Sequence, residues 1–312
     1  MPRVIVLGYH EHCVVGLEEL LGAGAEVAAL VTHEDSLNEN LWFPTPAPVA
    51  HERGIPVYTP EDVNEPQFVK LLEGLAPDAI FSFYFRQLVK QPILDLPPLG
   101  AYNLHGSLLP KYRGRCPLNW VLVHGESETG VTLHHMVLRA DAGDVVAQAA
   151  VPIDFADTAL SLHHKLIAAA RELLRRWLPE VLAGTAPRTV QDHAQATYFG
   201  GRKPEDGRIA WQAPADSIYN LIRAVTHPYP GAFTTYRGRR LFVWQAQPLA
   251  AEPSRGRPGE VVAADSEGLL AATGAGLLRL NALEFEGAPE MSGAQACEQG
   301  VLETGARFGQ DG

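Results

Sequence analysis

At 312 residues, with 25 Lys and Arg against 36 Asp and Glu, the chain carries a formal net charge of −11. That length accommodates two domains and a substantial core, and the acidic balance argues against a protein whose main task is to neutralise nucleic-acid phosphates. Cys13, Cys116 and Cys297 are odd in number and far apart, so they signal neither a disulfide framework nor a zinc site and fit a reducing cytoplasm.

The apolar run before Gly8 is too short for a signal peptide or a membrane span, and no later segment is long enough to cross a bilayer. "RVIVLG" (3–8) predicts a buried strand, and "CVVGLEELLGAG" (13–24) a helix, with Val14, Leu17, Leu20 and Leu21 at helical spacing before terminating glycines. Further strands are expected at "EVAALVTH" (26–33), "IPVYTP" (55–60), "DAIFSFYF" (78–85) and "GAYNLH" (100–105), separated by the helical stretches "PAPVAHERG" and "EPQFVKLLEGL". Near-continuous apolar strands alternating with helices indicate an α/β fold with a doubly wound, mostly parallel sheet of Rossmann-like type. Ligands bind beyond the carboxyl ends of the strands in such sheets, and Asn103 and His105 stand at one such end.

"CPLNWVLVHG" reads as a helix, and "TGVTLHHMVL" and "DVVAQAAVPI" as two strands joined by a tight turn, "RADAG", that carries Asp141 and Gly143. The segment from Asp157 to Gly184 places Leu162, Leu166, Ala170, Leu173, Leu174, Trp177, Leu178 and Val181 on one helical stripe, with Asp157 or Thr158 as N-cap. Residues 185–208 turn polar and rich in Gly, Arg and Pro, the composition of a linker, so a catalytic domain over 1–200 and a second domain over 201–312 are expected. The second opens with a helix, "PADSIYNLIRAV", and continues in short glycine-punctuated runs that suggest a small antiparallel, OB-like β-barrel.

Residues two apart on a strand project from the same face, so Asn103 and His105 point into one pocket. A neutral imidazole there takes a proton from an attacking nucleophile, and an amide donates to a developing oxyanion, a pairing that suits acyl transfer. A hydrogen-bonded histidine at a strand end is the other reading of N-x-H, and a turn residue the other reading of Asp141. A metal centre is not expected: His134/His135 and His163/His164 are adjacent pairs that diverge, "HEH" at 10–12 lacks sequence partners, and no HExxH occurs. "LGYHEH" after the first strand lacks GxGxxG, which removes support for a nicotinamide dehydrogenase.

"NLHGSLLPKYRG" (103–114) followed by "ETGVTLHHMVLRADAGDVVAQ" (128–148) closely resembles the N10-formyltetrahydrofolate-dependent formyltransferases, with N-x-H, S-L-L-P and D-x-G in their expected order. The resemblance implies an N-formyltransferase that needs no metal, in which His105 is the general acid/base, Asn103 stabilises the transition state and Asp141 tunes the histidine's charge state. It implies folate contacts at Gln87, Leu88 and Val89, at the loop Ser107, Leu108, Leu109 and Pro110, at Arg115, and along the extended backbone of Val137, Leu138, Arg139, Ala140 and Asp141. "FSFYFRQLV" (81–89) and "YFGGRKPEDGRIAW" (198–211) look like the branch of the family that formylates a UDP-linked 4-amino sugar. On that reading Arg202 and Lys203 form a small basic cluster for the nucleotide pyrophosphate. The partners expected are folate and a UDP-amino sugar, with no nucleic acid, no membrane insertion and a monomer or homodimer.

Two rivals stand beside this reading. Methionyl-tRNA formyltransferase shares the N-x-H, S-L-L-P and D-x-G core, but binding tRNA calls for a basic carboxyl-terminal domain, whereas this one carries runs such as "NALEFEGAPE". A catalytically silent folate-binding module has no reason to hold all three polar positions, Asn103, His105 and Asp141.

Overall fold

The computed structural model describes residues 1–35, 40–249 and 255–309. In chain order the first elements are β1 (Arg3–Gly8), α1 (His10–Gly22), β2 (Glu26–Val31), α2 (Pro46–Glu52), β3 (Val57–Tyr58), α3 (Pro66–Gly74), β4 (Ala79–Phe83), α4 (Gln91–Leu94) and β5 (Ala101–His105). There follow β6 (Arg113–Gly114), α5 (Pro117–Val123), β7 (Glu128–His135), β8 (Val145–Pro152), α6 (Ala159–Leu182) and β9 (Tyr198–Phe199). The carboxyl-terminal part comprises α7 (Ala215–Val225), β10 (Ala232–Tyr236), β11 (Arg239–Leu249), β12 (Val261–Asp265), β13 (Gly268–Ala272), β14 (Leu277–Phe285), β15 (Met291–Ser292) and α8 (Gly293–Glu298).

The chain divides into two compact units: residues 1–117, 128–153 and 163–200 form the first, and residues 118–127, 154–162 and 201–312 the second. The first is built on a seven-stranded sheet in the order β3-β2-β1-β4-β5-β7-β8. Its first five strands are parallel, and β7 and β8 add antiparallel at one edge. This is the doubly wound, mostly parallel architecture that the alternation of apolar strands and helices predicts. Ile5, Leu7, Ile80 and Ala101 from the strands meet Leu72 of α3 and Ile93 of α4 in one buried cluster, and each such leucine or isoleucine side chain contributes about 1.5–3 kcal/mol. Of the stripe on α6, Leu166, Ala170, Leu173, Leu174, Leu178 and Val181 are buried and Trp177 is half-buried.

Several boundaries differ from those expected. Helix α1 begins at His10, three residues ahead of the expected start, because Tyr9 is already extended as its N-cap and the turn takes up "HEH". Strand β7 ends at His135, short of the expected Leu138, and Leu138 to Asp141 form a bend and turn instead of extended backbone. The segment 185–200, expected to be linker, belongs to the first unit: Thr189 exchanges two backbone hydrogen bonds with Val145, and β9 pairs in parallel with β6. Its polar composition hides this, since a two-residue strand buries too little apolar surface to show as a pattern.

The second unit holds an antiparallel β domain in the order β10-β11-β14-β13-β12, with β15 alongside β14. Helix α7 buries Ile218 and Ile222. Helix α8 is fixed by a capping box, in which Ser292 accepts from the Gln295 N–H while the Gln295 side chain accepts from the Ser292 N–H. Among the described residues no helix is long and apolar enough to cross a membrane, and all three cysteines are unpaired.

Candidate active site

Strand β5 presents Asn103 and His105 on one face, as residues two apart on a strand must be. Its antiparallel neighbour β7 sets His134 directly opposite Asn103 and Thr132 directly opposite His105. Opposed residues share a face, so the register brings two further polar side chains to the same spot. Thr132 holds the loop that follows β5. Its Oγ1 donates to the Ser107 carbonyl at 2.6 Å, accepts from the Leu109 N–H at 3.1 Å, and accepts from Gln148 Nε2 at 2.9 Å.

Asp141 arrives from the β7–β8 turn with φ +55, a left-handed conformation that Asp tolerates better than most residues. Two glycines permit close backbone approaches around it. A Cβ on Gly143 would fall 1.9 Å from the His135 carbonyl oxygen, and one on Gly114 2.2 Å from that of Phe199. The D-x-G spacing is therefore a packing requirement as well as a turn preference. Asp141 Oδ2 accepts from the Gly114 N–H at 2.8 Å, and Oδ1 lies 3.5 Å from His105 Nδ1 and 3.6 Å from His134 Nε2. Burial pulls this carboxyl upward, but the charge His105 carries when protonated, the hydrogen bond and charge of His134 in its protonated form, and the Gly114 N–H together outweigh it and hold Asp141 well below the usual carboxylate range.

The hydrogen bonds fix which ring nitrogens carry hydrogen. His105 Nε2 is 2.7 Å from the Tyr112 carbonyl oxygen, which can only accept, so Nε2 carries a hydrogen and Nδ1 presents its lone pair beside Asp141. His134 Nδ1 likewise donates to the His135 carbonyl at 2.8 Å, which leaves Nε2 to accept from Asn103 Nδ2 at 3.1 Å. The second Asn103 N–H reaches Asp141 Oδ1 only at 3.5 Å, the loose limit of a hydrogen bond.

The other residues expected at the site separate into groups. The Gln87 side chain accepts from the Val63 N–H at 2.7 Å and donates to the Pro60 and Glu61 carbonyls, so it pins a loop. Val89 is 3 % exposed in the core cluster, and the Leu88 carbonyl accepts from Asn64. In contrast, the side chains of Leu88, Val137 and Leu138 are exposed large hydrophobics. Ser107 and Leu109 are buried, the Ser107 hydroxyl bonds the Lys111 carbonyl, and Leu108 and Pro110 are half-buried. Arg115 is exposed, with its N–H on the Phe199 carbonyl, and Arg139 lies 5.0 Å over the Tyr198 ring. Arg202 and Lys203 belong to the second unit. There the Arg202 guanidinium sits 4.6 Å over Trp120 and donates to the Asp206 carbonyl, and the Lys203 N–H donates to Asp206 Oδ2.

Sequence reasoning passed over three contributors. His134 stands in the sequence as one of a diverging pair, and the T-x-H spacing on β7, matching N-x-H on β5, is the signal that finds it. Arg113 is fully buried, its guanidinium donating to Gln191 Oε1, to the Tyr198 hydroxyl at 2.6 Å and to His193 Nδ1 at 2.9 Å. Gln191 in turn donates to the Asp141 and Gly143 carbonyls, so a buried arginine and a residue from the expected linker hold the Asp141 turn. Nothing in the local sequence marks Gln191.

Residues 10–182 match the family model described as formyl transferase, and residues 202–299 that described as formyl transferase, C-terminal domain. The fold is similar to that of the N-formyltransferase from Helicobacter canadensis in complex with folinic acid and dTDP-3-aminofucose, with 20% identity, a TM-score of 0.66, and coverage of 90% of this chain and 99% of that one. It is similar to WlaRD, a sugar 3N-formyl transferase with dTDP and 5-N-formyl-THF, at 19% identity and a TM-score of 0.67, covering 90% and 97%. Methionyl-tRNA formyltransferase from Clostridium thermocellum matches at 19% identity and a TM-score of 0.54, covering 79% and 93%.

Proposed function

The chain belongs to the formyl transferase family, and from that premise we propose that it transfers a formyl group from N10-formyltetrahydrofolate to the amino group of a nucleotide-linked sugar, UDP-4-amino-4-deoxy-L-arabinose. The observation that carries the chemistry is the meeting of Asn103, His105 and Asp141 within 3.5 Å contacts at the carboxyl end of β5. The sugar amine attacks the formyl carbon, the new C–N bond forms, and the carbonyl becomes an oxyanion that the loosely held Asn103 N–H receives. His105 Nδ1 takes the proton the amine gives up, with the Asp141 carboxylate beside it to attract that positive charge. Collapse of the intermediate breaks the bond to N10, which receives the proton as tetrahydrofolate leaves. The exposed Leu88, Val137 and Leu138 supply apolar surface for the pteridine, and Arg202 and Lys203 are proposed for the pyrophosphate.

Three features support a sugar over tRNA. The net charge is −11, which opposes a phosphate polymer. Two of the similar folds are of N-formyltransferases holding dTDP-3-aminofucose or dTDP. "FSFYFRQLV", the N-x-H string and "YFGGRKPEDGRIAW" look like the formyltransferase portion of the bifunctional polymyxin-resistance protein ArnA, which supports the 4-amino sugar and a place in lipid A modification.

The test is turnover of N10-formyltetrahydrofolate with three acceptors: UDP-4-amino-4-deoxy-L-arabinose, a dTDP-3-amino sugar and charged initiator tRNA. Fastest turnover with the first is expected. Preference for the dTDP sugar would replace the nucleotide and position of the amine, and preference for tRNA would overturn the sugar reading.

A further inference from the structure

The sequence "HEH" at 10–12 has no third partner within reach along the chain, but the fold supplies one. α1 opens at His10, whose φ is +68, and α6 lies against it, tied by Arg171 to Glu18 at 2.8 Å and to Glu19 at 2.9 Å. This brings His163 to His10 and His12, so that one ring nitrogen from each lies within 4.8 Å of the others. The cluster follows the carboxyl ends of β1 and β4, where the connections of the sheet diverge to opposite sides, the place at which open α/β sheets receive ligands.

Packing alone does not account for these rings. His12 is 0 % exposed, and both its ring nitrogens, like His10 Nδ1, are buried without a hydrogen-bond partner among the described residues. Each such orphan carries an uncompensated desolvation cost, which a phenylalanine stacked on Tyr84, as His12 is at 4.1 Å, would not incur. His163 is differently placed. Its Nε2 lies 2.7 Å from Glu11 Oε2, a carboxylate that can only accept, so Nε2 carries the hydrogen and Nδ1 presents its lone pair. A histidine oriented by a carboxylate on its far nitrogen is the arrangement that supports metal ligation.

We propose that His10, His12 and His163 form a binding site for one divalent cation of the zinc class, with Glu11 as the partner that orients His163. Imidazole nitrogen is a preferred donor for zinc, cobalt(II) and nickel, and zinc–nitrogen bonds of about 2.0–2.1 Å require the rings to close by roughly an ångström through their side-chain torsions. Three protein ligands leave the fourth position for water or a substrate atom. The site shares no residue with Asn103, His105 and Asp141, so it stands or falls independently of the formyl-transfer reading. Metal bound there clamps the start of α1 to α6 and stabilises the fold by mass action.

The experiment uses tag-free full-length protein, stripped with chelator and titrated with Co²⁺ and then Zn²⁺. One equivalent of Co²⁺ per chain should give visible absorption bands that Zn²⁺ abolishes, and the thermal midpoint should rise with Zn²⁺ concentration. His12→Phe, which keeps the stack on Tyr84, should lower affinity by at least a hundredfold, and Glu11→Gln by about ten- to a hundredfold. Absence of stoichiometric binding to the wild type at micromolar Zn²⁺, or a folded His12→Phe that binds as the wild type does, would overturn the site.

Discussion

Nδ2 of Asn103 lies 3.1 Å from Nε2 of His134, across a strand pair whose register sets the two residues opposite each other. The proposed oxyanion donor is thus aimed by a neighbour whose own orientation is fixed at the His135 carbonyl. Removing that acceptor in His134→Phe should lower kcat by roughly ten- to a hundredfold through misplacement of the amide. KM for N10-formyltetrahydrofolate and the thermal midpoint should stay near wild type, and His134→Gln, which restores an acceptor, should recover part of the rate. Steady-state kinetics on the two variants check it; equal loss in both would mean the imidazole does more than aim Asn103.

Asn103→Ala deletes the donor itself. Turnover should fall by about two to three orders of magnitude, while folate affinity, measured by fluorescence titration, changes little. A variant that loses folate affinity but turns over normally at saturation would make Asn103 a binding residue.

Asp141 yields a prediction with a pH sign. Its folded carboxyl is held below the unfolded value of 3.8, so its contribution to stability is complete above that pH and is lost as the pH falls below 3.8 through the lower folded value. Asp141→Asn should therefore be less stable than wild type at neutral pH, with the gap closing only in acid. Its turnover should also drop, because His105 Nδ1 loses the anion that faces it at 3.5 Å. Denaturant unfolding at pH 7 and pH 3, with rates from about pH 5 to 9, tests both; a folded variant with wild-type rates would leave Asp141 as a turn residue only.

Arg113 is fully buried, and its fork engages three acceptors at once. Arg113→Met strands Gln191 and Tyr198 and should destabilise the protein by about 2–3 kcal/mol. Arg113→Lys should be nearly as harmful, since an ammonium cannot reproduce the planar fork. Thermal unfolding measures this. Turnover should fall as well, because Gln191 also holds the Asp141 carbonyl at 2.9 Å.

Initiator tRNA should bind weakly at physiological salt, given 36 acidic against 25 basic residues. A gel shift at submicromolar protein, with a steep salt dependence, would contradict the proposed sugar substrate.

The architecture and the central pair were legible in the sequence because they rest on local rules. Continuous apolar runs alternating with helices specify a doubly wound sheet, and the two-residue period of a strand alone puts Asn103 and His105 on one face. Contacts between distant segments were not legible. His134 joins Asn103 through an antiparallel register, Gln191 reaches Arg113 from 78 residues away, and His163 meets His10 and His12 after about 150 residues of intervening chain. The Gln87 side chain pins a loop, which the sequence does not show, for a polar side chain does not declare which backbone groups it holds. Periodicity reports which face a residue takes on its own element; which side chains meet it there depends on strand order and register, and those are settled only when the whole sheet closes its core.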